Sequence, residues 1–179
     1  MGQTRHRFFA AATGVVAAAT VLFGWAASGE AKSGGRASAL DKEYLKSAIE
    51  GDRFEIEGGK LALRTSDDGA VRDLADRLVE DHTRSLQDAT DEAHRLGVKV
   101  PGSPSPSQQW ELDVLQTMKG AMFDKWYTSL EVQDHRQDID EATTERDEGS
   151  DPRVVALARD ELPTLRKHLS MSEDAAKSV

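Results

Sequence analysis

From Asp41 onward apolar residues recur at intervals of three and four, and nowhere do they alternate over a strand-length stretch, so the pattern predicts helices and no sheet. The clearest stretch is Val71 to Leu96, VRDLADRLVEDHTRSLQDATDEAHRL. With Leu78 as origin and about 100° per residue, Leu74, Ser85, Ala89 and Leu96 fall within about 40° of it, and so does His82, while His94 falls on the opposite, wet face. An imidazole therefore sits in the apolar stripe of this helix.

The neighbouring segments read the same way. Asp41 is the expected N-cap of a helix running to about Arg64, with Tyr44, Ala48, Gly51, Glu55, Gly59 and Ala62 on one face and Leu45, Ile49, Ile56 and Leu63 beside them. Gly51, Gly58 and Gly59 weaken a helix, so they point to close approach of a neighbour. The polar turn TSDDG, 65–69, is short enough to force an antiparallel hairpin with the Val71–Leu96 helix. Gly97 to Gln108, GVKVPGSPSPSQ, predicts a long non-helical link. A third helix is expected from Trp110 to about Glu148, kinked at Gly120, with Asp124, Glu131, His135 and Ala142 on its inward stripe. EGSDP then predicts a second tight turn with Asp151 as N-cap and Pro152 at the first position of a fourth helix. That helix carries Glu161 and His168 in its stripe, a kink at Pro163 and a frayed end after Met171. The expected buried set is Leu78, Leu86, Phe123, Leu130, Leu162 and Leu165; Trp110, Trp126 and Tyr127 read as core and rim.

Two hairpins joined by one long connection make an all-α, up-down four-helix bundle. Folding the first hairpin about Asp67 sets His82 opposite Asp52 and about three residues from Glu55. Folding the second about Gly149 and Ser150 sets His168 opposite Glu131 and Glu161 opposite Asp138. His82 and His135 each lie about fourteen residues, roughly 21 Å, from their helix ends. One mid-bundle layer thus collects Glu55, His82, Glu131, His135, Glu161 and His168.

Ionisable groups inside a bundle require partners. Glu-His pairs that lock helix register account for such a layer, as do ligands for a metal ion. A di-iron site needs Glu three residues before His on two helices, and those positions are Val79, Val132 and Leu165, so a single zinc, copper or iron ion suits the set better.

Composition adds compartment and partner. Arg5, His6 and Arg7 precede an uncharged run from Phe8 to Ser28, which predicts an export signal over 1–30, cut between Ser28 and Ala31, or else an uncleaved anchor. A tether over 31–40, the bundle over 41–174 and a tail over 175–179 complete the expected organisation. Cysteine is absent, so neither disulfides nor a lipid-attachment cysteine contribute. A net charge of −9, one unit more negative after processing, disfavours nucleic acid as a partner. The chain has no hydrolase motif, phosphate loop or HExxH, which points away from a conventional enzyme.

The segments FEIEGGKLAL, VRDLADRLVEDHT, GVKVP, FDKWY followed by Asp134-His135, and DELPTLRKHL resemble, in order and spacing, the bacterial domain of unknown function forty-one forty-two. The resemblance spans about Asp41 to Met171. It implies a ferritin-like fold and an exported protein, and makes Glu55, His82, Asp124, His135, Pro163 and His168 signature positions, which adds Asp124 to the candidate layer. Glu131 stands where that family usually carries an apolar residue. The family's frequent outer-membrane label finds no barrel strands here, and the resemblance brings no activity. Two readings follow: a structural, stress or partner-binding module of the cell envelope, and a metal-binding, redox-protective bundle.

Overall fold

The computed structural model describes residues 37–179; the expected export signal and most of the tether lie outside the described residues. Five helices follow in order, α1 (Ala39–Thr65), α2 (Gly69–Leu96), α3 (Pro106–Leu115), α4 (Ala121–Glu148) and α5 (Pro152–Ser178), with no strand among the described residues. None of these helices is long and apolar enough to cross a membrane.

The boundaries follow from local chemistry and correct several expectations. Ser38, not Asp41, caps α1: its hydroxyl accepts from the Asp41 N–H while the Asp41 carboxylate accepts from the Ser38 N–H, a capping box. Asp41 also accepts from the N–H groups of Ser150 and Asp151 at 2.8 and 3.0 Å, fastening the start of α1 to the α4–α5 turn. Burial pushes this carboxyl up, but the backbone and Ser38 donors outweigh it and hold it well below the usual carboxylate range. Helix α2 starts on Asp68, which accepts from Ala70 and Val71, and ends on Gly97, whose φ of 66° is a left-handed cap.

The link expected to be free of helix is shorter than its prolines suggest. Ser105 and Gln108 form a second capping box, and Pro106 occupies the first helical turn, where its missing N–H is not needed. The expected kinked third helix is two separate helices, broken between Leu115 and Ala121, with Gly120 at φ 54°. Asp151 and Pro152 open α5 as expected, and α5 runs through Pro163 to Ser178. Its end is held because Ala175 is buried and Val179 packs beside it, rather than fraying after Met171.

Two apolar clusters fix the directions of the helices. Tyr44, Leu45 and Ile49 at the start of α1 meet Ala89 and Ala93 at the end of α2, Ala142 near the end of α4, and Val154 and Ala158 at the start of α5. Ala62 at the end of α1 meets Val71 and Leu74 at the start of α2, Phe123 and Tyr127 at the start of α4, and Ala175 of α5. Each hairpin is therefore up-down, and the connection from α2 carries the chain back along the bundle, so that α4 runs parallel to α2. Helix α1 packs on α2 and α4, and α5 on α4 and α2. Every adjacent pair is antiparallel, the arrangement of ferritin-like bundles with one crossover.

Helix α3, carried on that crossover, seals a side of the bundle. Its Leu112 and Leu115 are buried, and Phe54 of α1, outside the expected stripe, is buried near it, whereas Ile56 is only half-buried. Leu78, Phe123, Leu162 and Leu165 are buried and His94 is exposed, as the periodicity predicts; Leu86 and Leu130 are half-buried at the edges of the clusters. Tyr127 belongs to the core, but Trp110 and Trp126 are 66% and 52% exposed, so the core reading fails for both. Gly59 is where α1 and α2 approach: a Cβ there would lie 2.7 Å from Val79 Cγ2 and 3.1 Å from the Ala75 carbonyl oxygen.

Candidate metal centre

Between the two apolar clusters, α2, α4 and α5 each send one imidazole into the bundle. His82, His135 and His168 are 4%, 0% and 1% exposed. Their ring centroids are 5.7 Å (His82–His135), 5.2 Å (His82–His168) and 5.2 Å (His135–His168) apart. One ring nitrogen from each lies within 4.8 Å of the others.

The second nitrogen of every ring is already engaged. His82 Nδ1 lies 2.8 Å from Asp52 Oδ1 of α1, His168 Nε2 lies 2.9 Å from Asp81 Oδ2 of α2, and His135 Nδ1 lies 2.8 Å from the Glu131 carbonyl oxygen one turn earlier. Since the carbonyl can only accept, His135 Nδ1 carries the proton. The remaining nitrogens, His82 Nε2, His135 Nε2 and His168 Nδ1, are buried without a hydrogen-bond partner. Backing of each imidazole by a carboxylate or carbonyl is the usual way a metal-binding histidine is oriented.

Electrostatics keep the rings neutral. Burial, which disfavours the charged imidazolium, pulls His82 down to about 4, His135 to about 3 and His168 to about 4. Burial likewise pushes the Asp52 carboxyl well above the usual range. Asp81 differs: burial raises it, but the His168 hydrogen bond and the Arg77 charge outweigh that, and Arg77 Nε lies 2.6 Å away with Arg84 also bound. Asp81 is thus an ionised acceptor that keeps the His168 proton on Nε2 and leaves Nδ1 with a lone pair.

Glu55 and Glu131 close the α1–α4 side. His135 Nδ1 lies 3.8 Å from Glu55 Oε1 and from Glu131 Oε2, too far for a hydrogen bond. Burial pushes Glu55 well above the usual range, with the Glu131 charge adding to it, and burial raises Glu131 to about 8.

The family described as Domain of unknown function (DUF4142) matches residues 26–175. The chain belongs to the DUF4142 family. No curated protein matches this DUF4142 chain. Among solved structures it is similar to a DUF305 fragment from Deinococcus radiodurans, with a TM-score of 0.72, 16% identity, and coverage of 81% of this chain and 100% of that one. It is also similar to CopM in the Cu(I)-bound form, with a TM-score of 0.65, 15% identity, and coverage of 77% and 96% respectively. At these identities the likeness shows the fold, an all-helical ferritin-like bundle.

Of the residues picked out in the sequence, the DUF4142 fold brings together His82, His135, His168, Glu55 and Glu131. Glu161 is committed elsewhere: its carboxyl accepts from Tyr44 Oη and Ser85 Oγ, each at 2.7 Å. Burial raises it to about 7, the Asp52 charge adding and the two hydroxyl donors opposing. Asp124 lies in the first turn of α4, three turns or about 16 Å along the axis from His135, and so stands apart from the imidazoles. His168 meets Asp81 rather than Glu131. Asp52, opposite His82 by hairpin counting, is a partner in place of the expected Glu55, and Asp81 went unnoticed. Its only signal was its position next to His82 in a run that also supplies Arg77 and Arg84.

Proposed function

We propose that this DUF4142 protein binds one transition-metal ion, zinc or copper fitting best and iron next, through His82 Nε2, His135 Nε2 and His168 Nδ1, in the compartment outside the cytoplasm. The observation that carries this reading is the convergence of three buried ring nitrogens that lack partners, each on an imidazole whose other nitrogen is engaged. A register lock would spend both nitrogens of each ring on hydrogen bonds. Neutral imidazoles suit zinc and copper. Bonds of about 2.0–2.1 Å in a tetrahedral arrangement place the nitrogens about 3.3 Å apart, a spacing that ring nitrogens already within 4.8 Å of one another reach by small side-chain shifts. The copper-bound CopM neighbour lends support as a bundle of the same fold.

The test is metal titration of the purified mature chain without a His-tag, read by competition with a chromophoric chelator and by elemental analysis. One equivalent of zinc or Cu(I) should bind to wild type, with affinity lost in His82→Ala, His135→Ala and His168→Ala. Wild type that binds neither of these nor ferrous iron ends the reading.

The exposed Trp110, Trp126 and Met122 favour a second reading, a protein partner at the cell envelope. Cross-linking in an envelope fraction, lost on Trp110→Ala with Trp126→Ala, would support it.

A further inference from the structure

We propose that the cavity on the Tyr44 side of the imidazole layer is the route by which the ion enters and leaves, with Glu161 as the carboxylate that hands it to His82. The inference rests on the tri-imidazole reading above. His82, His135 and His168 are so deeply buried that their free nitrogens are out of reach of an ion at the surface. A site this deep needs a path.

A cavity of about 50 Å³ supplies one, with walls drawn from α1, α2, α4 and α5. Both His82 and His168 line it, and these are the rings whose Nε2 and Nδ1, respectively, lack a hydrogen-bond partner. Its other end is wet: Ala48, Ser85, Asp138, Glu141, Glu161 and Thr164 are half-buried. One water needs about 10–15 Å³, so the space passes an ion with part of its hydration shell and excludes a bulky chelate. The polar pocket of about 130 Å³ between α1, α3 and α4 touches none of the three imidazoles.

Charge selects what enters. The lining carries the carboxyls of Asp52, Asp81, Asp138, Glu141 and Glu161 and, among the described residues, no Lys or Arg. A narrow acidic cleft concentrates cations and speeds their arrival. Taking an ion out of water is costly unless other oxygens replace its shell. Asp52 and Asp81 are occupied in orienting His82 and His168. Glu161 is placed differently: Tyr44 Oη donates to one of its oxygens and Ser85 Oγ to the other, which fixes the carboxyl. Each carboxylate oxygen keeps a second lone pair, so Glu161 can take an ion without giving up either hydrogen bond. Ser85 follows His82 by three residues on α2, about 4.5 Å along the axis, so the carboxyl it holds stands one turn from that ring.

The experiment mixes the metal-free mature chain with Zn²⁺ and traps unbound ion with a fluorescent indicator after successive delays. Equilibrium affinity is measured in parallel by chelator competition. Ala48→Leu or Thr164→Leu fills the cavity without touching an imidazole. Either should slow uptake, and release into excess chelator, by about tenfold or more with affinity held within about threefold, because the ion must wait for the bundle to open. Glu161→Gln should slow both rates likewise, and Glu161→Asp should restore part of the loss. Glu111→Gln, in the 130 Å³ pocket, removes an acid away from the route and should leave both rates unchanged. Should the bulky variants fail to fold by circular dichroism, Glu161→Gln against Glu111→Gln decides. Wild-type rates in the folded cavity variants overturn the proposal, as does equal slowing in Glu111→Gln. A loss of affinity as large as the loss of uptake rate overturns it too, since the residues would then hold the ion and not pass it. Failure of the tri-imidazole reading shows separately, as wild type that binds neither zinc nor Cu(I) at equilibrium, and takes the route with it; failure of the route alone leaves that affinity intact.

Discussion

His82 Nδ1 and Asp52 Oδ1 meet at 2.8 Å across the α1–α2 hairpin, both side chains almost fully buried. The contact fixes the ring so that Nε2 turns toward His135 and His168. Asp52→Ala should therefore lower zinc or Cu(I) affinity by about 10–100-fold, as loss of a supporting acceptor commonly does. Asp81→Ala should act alike through His168. Chelator competition on folded variants checks both; affinities equal to wild type would show that neither carboxyl orients its imidazole.

Metal should stabilise the fold in proportion to its excess. At a hundredfold over the dissociation constant the gain is about 2.7 kcal/mol, provided the unfolded chain does not bind. Thermal melting with and without a chelator should show a shift in wild type and none in His135→Ala. Equal shifts in both proteins would place the stabilising ion elsewhere.

The metal-free protein should lose stability as the pH rises from about 6.5 to 8.5. Burial holds Glu131 up to about 8 and Glu161 to about 7, above the ordinary Glu value near 4.3, so the folded state keeps protons that the unfolded chain has released. Such raised carboxyls contribute stability at low pH that is lost as pH rises through their folded values. The imidazoles, pulled down to about 3 to 4, act with the opposite sign, but only below about pH 6.5. Urea denaturation in chelator at pH 6.5 and 8.5 measures the loss, and Glu131→Gln should reduce it. A stability that rises across that interval would contradict these protonation states.

Gly59→Ala should destabilise by about 1–3 kcal/mol, because the added methyl would press on Val79 and on the Ala75 backbone. Gly58→Ala, where the new contacts are no closer than 3.7 Å, should be much milder. Paired denaturation curves decide it; equal losses would show that the α1–α2 seam yields easily.

Much of this was legible in the sequence because the relevant quantities are local. Two turns of a few residues set two hairpins, and the phase of Val71–Leu96 placed His82 inward and His94 outward. The height of the layer was readable for a reason of symmetry: His135 lies near the middle of α4, so its level hardly depends on which way α4 runs. That direction was not readable, being decided by where a long crossover delivers the chain. The order of side chains around the axis was equally hidden, which is why His168 turned out to face Asp81 and why Glu161 went to Tyr44 and Ser85. The start of helix α3 was read at Trp110 instead of Pro106 because three prolines suggested loop, although one of them sits where a helix accepts it. The tryptophans misled since a large apolar side chain on a short helix or a bundle edge can remain wet.

His82 belongs to the first hairpin, while His135 and His168 belong to the second, and the two hairpins are joined covalently only through residues 97–120. An ion held by all three rings is consequently a clasp between halves of the molecule. A chain nicked within 101–105, before α3, should yield fragments that reassociate more tightly when zinc or Cu(I) is present, and His82→Ala in the first fragment should abolish that dependence.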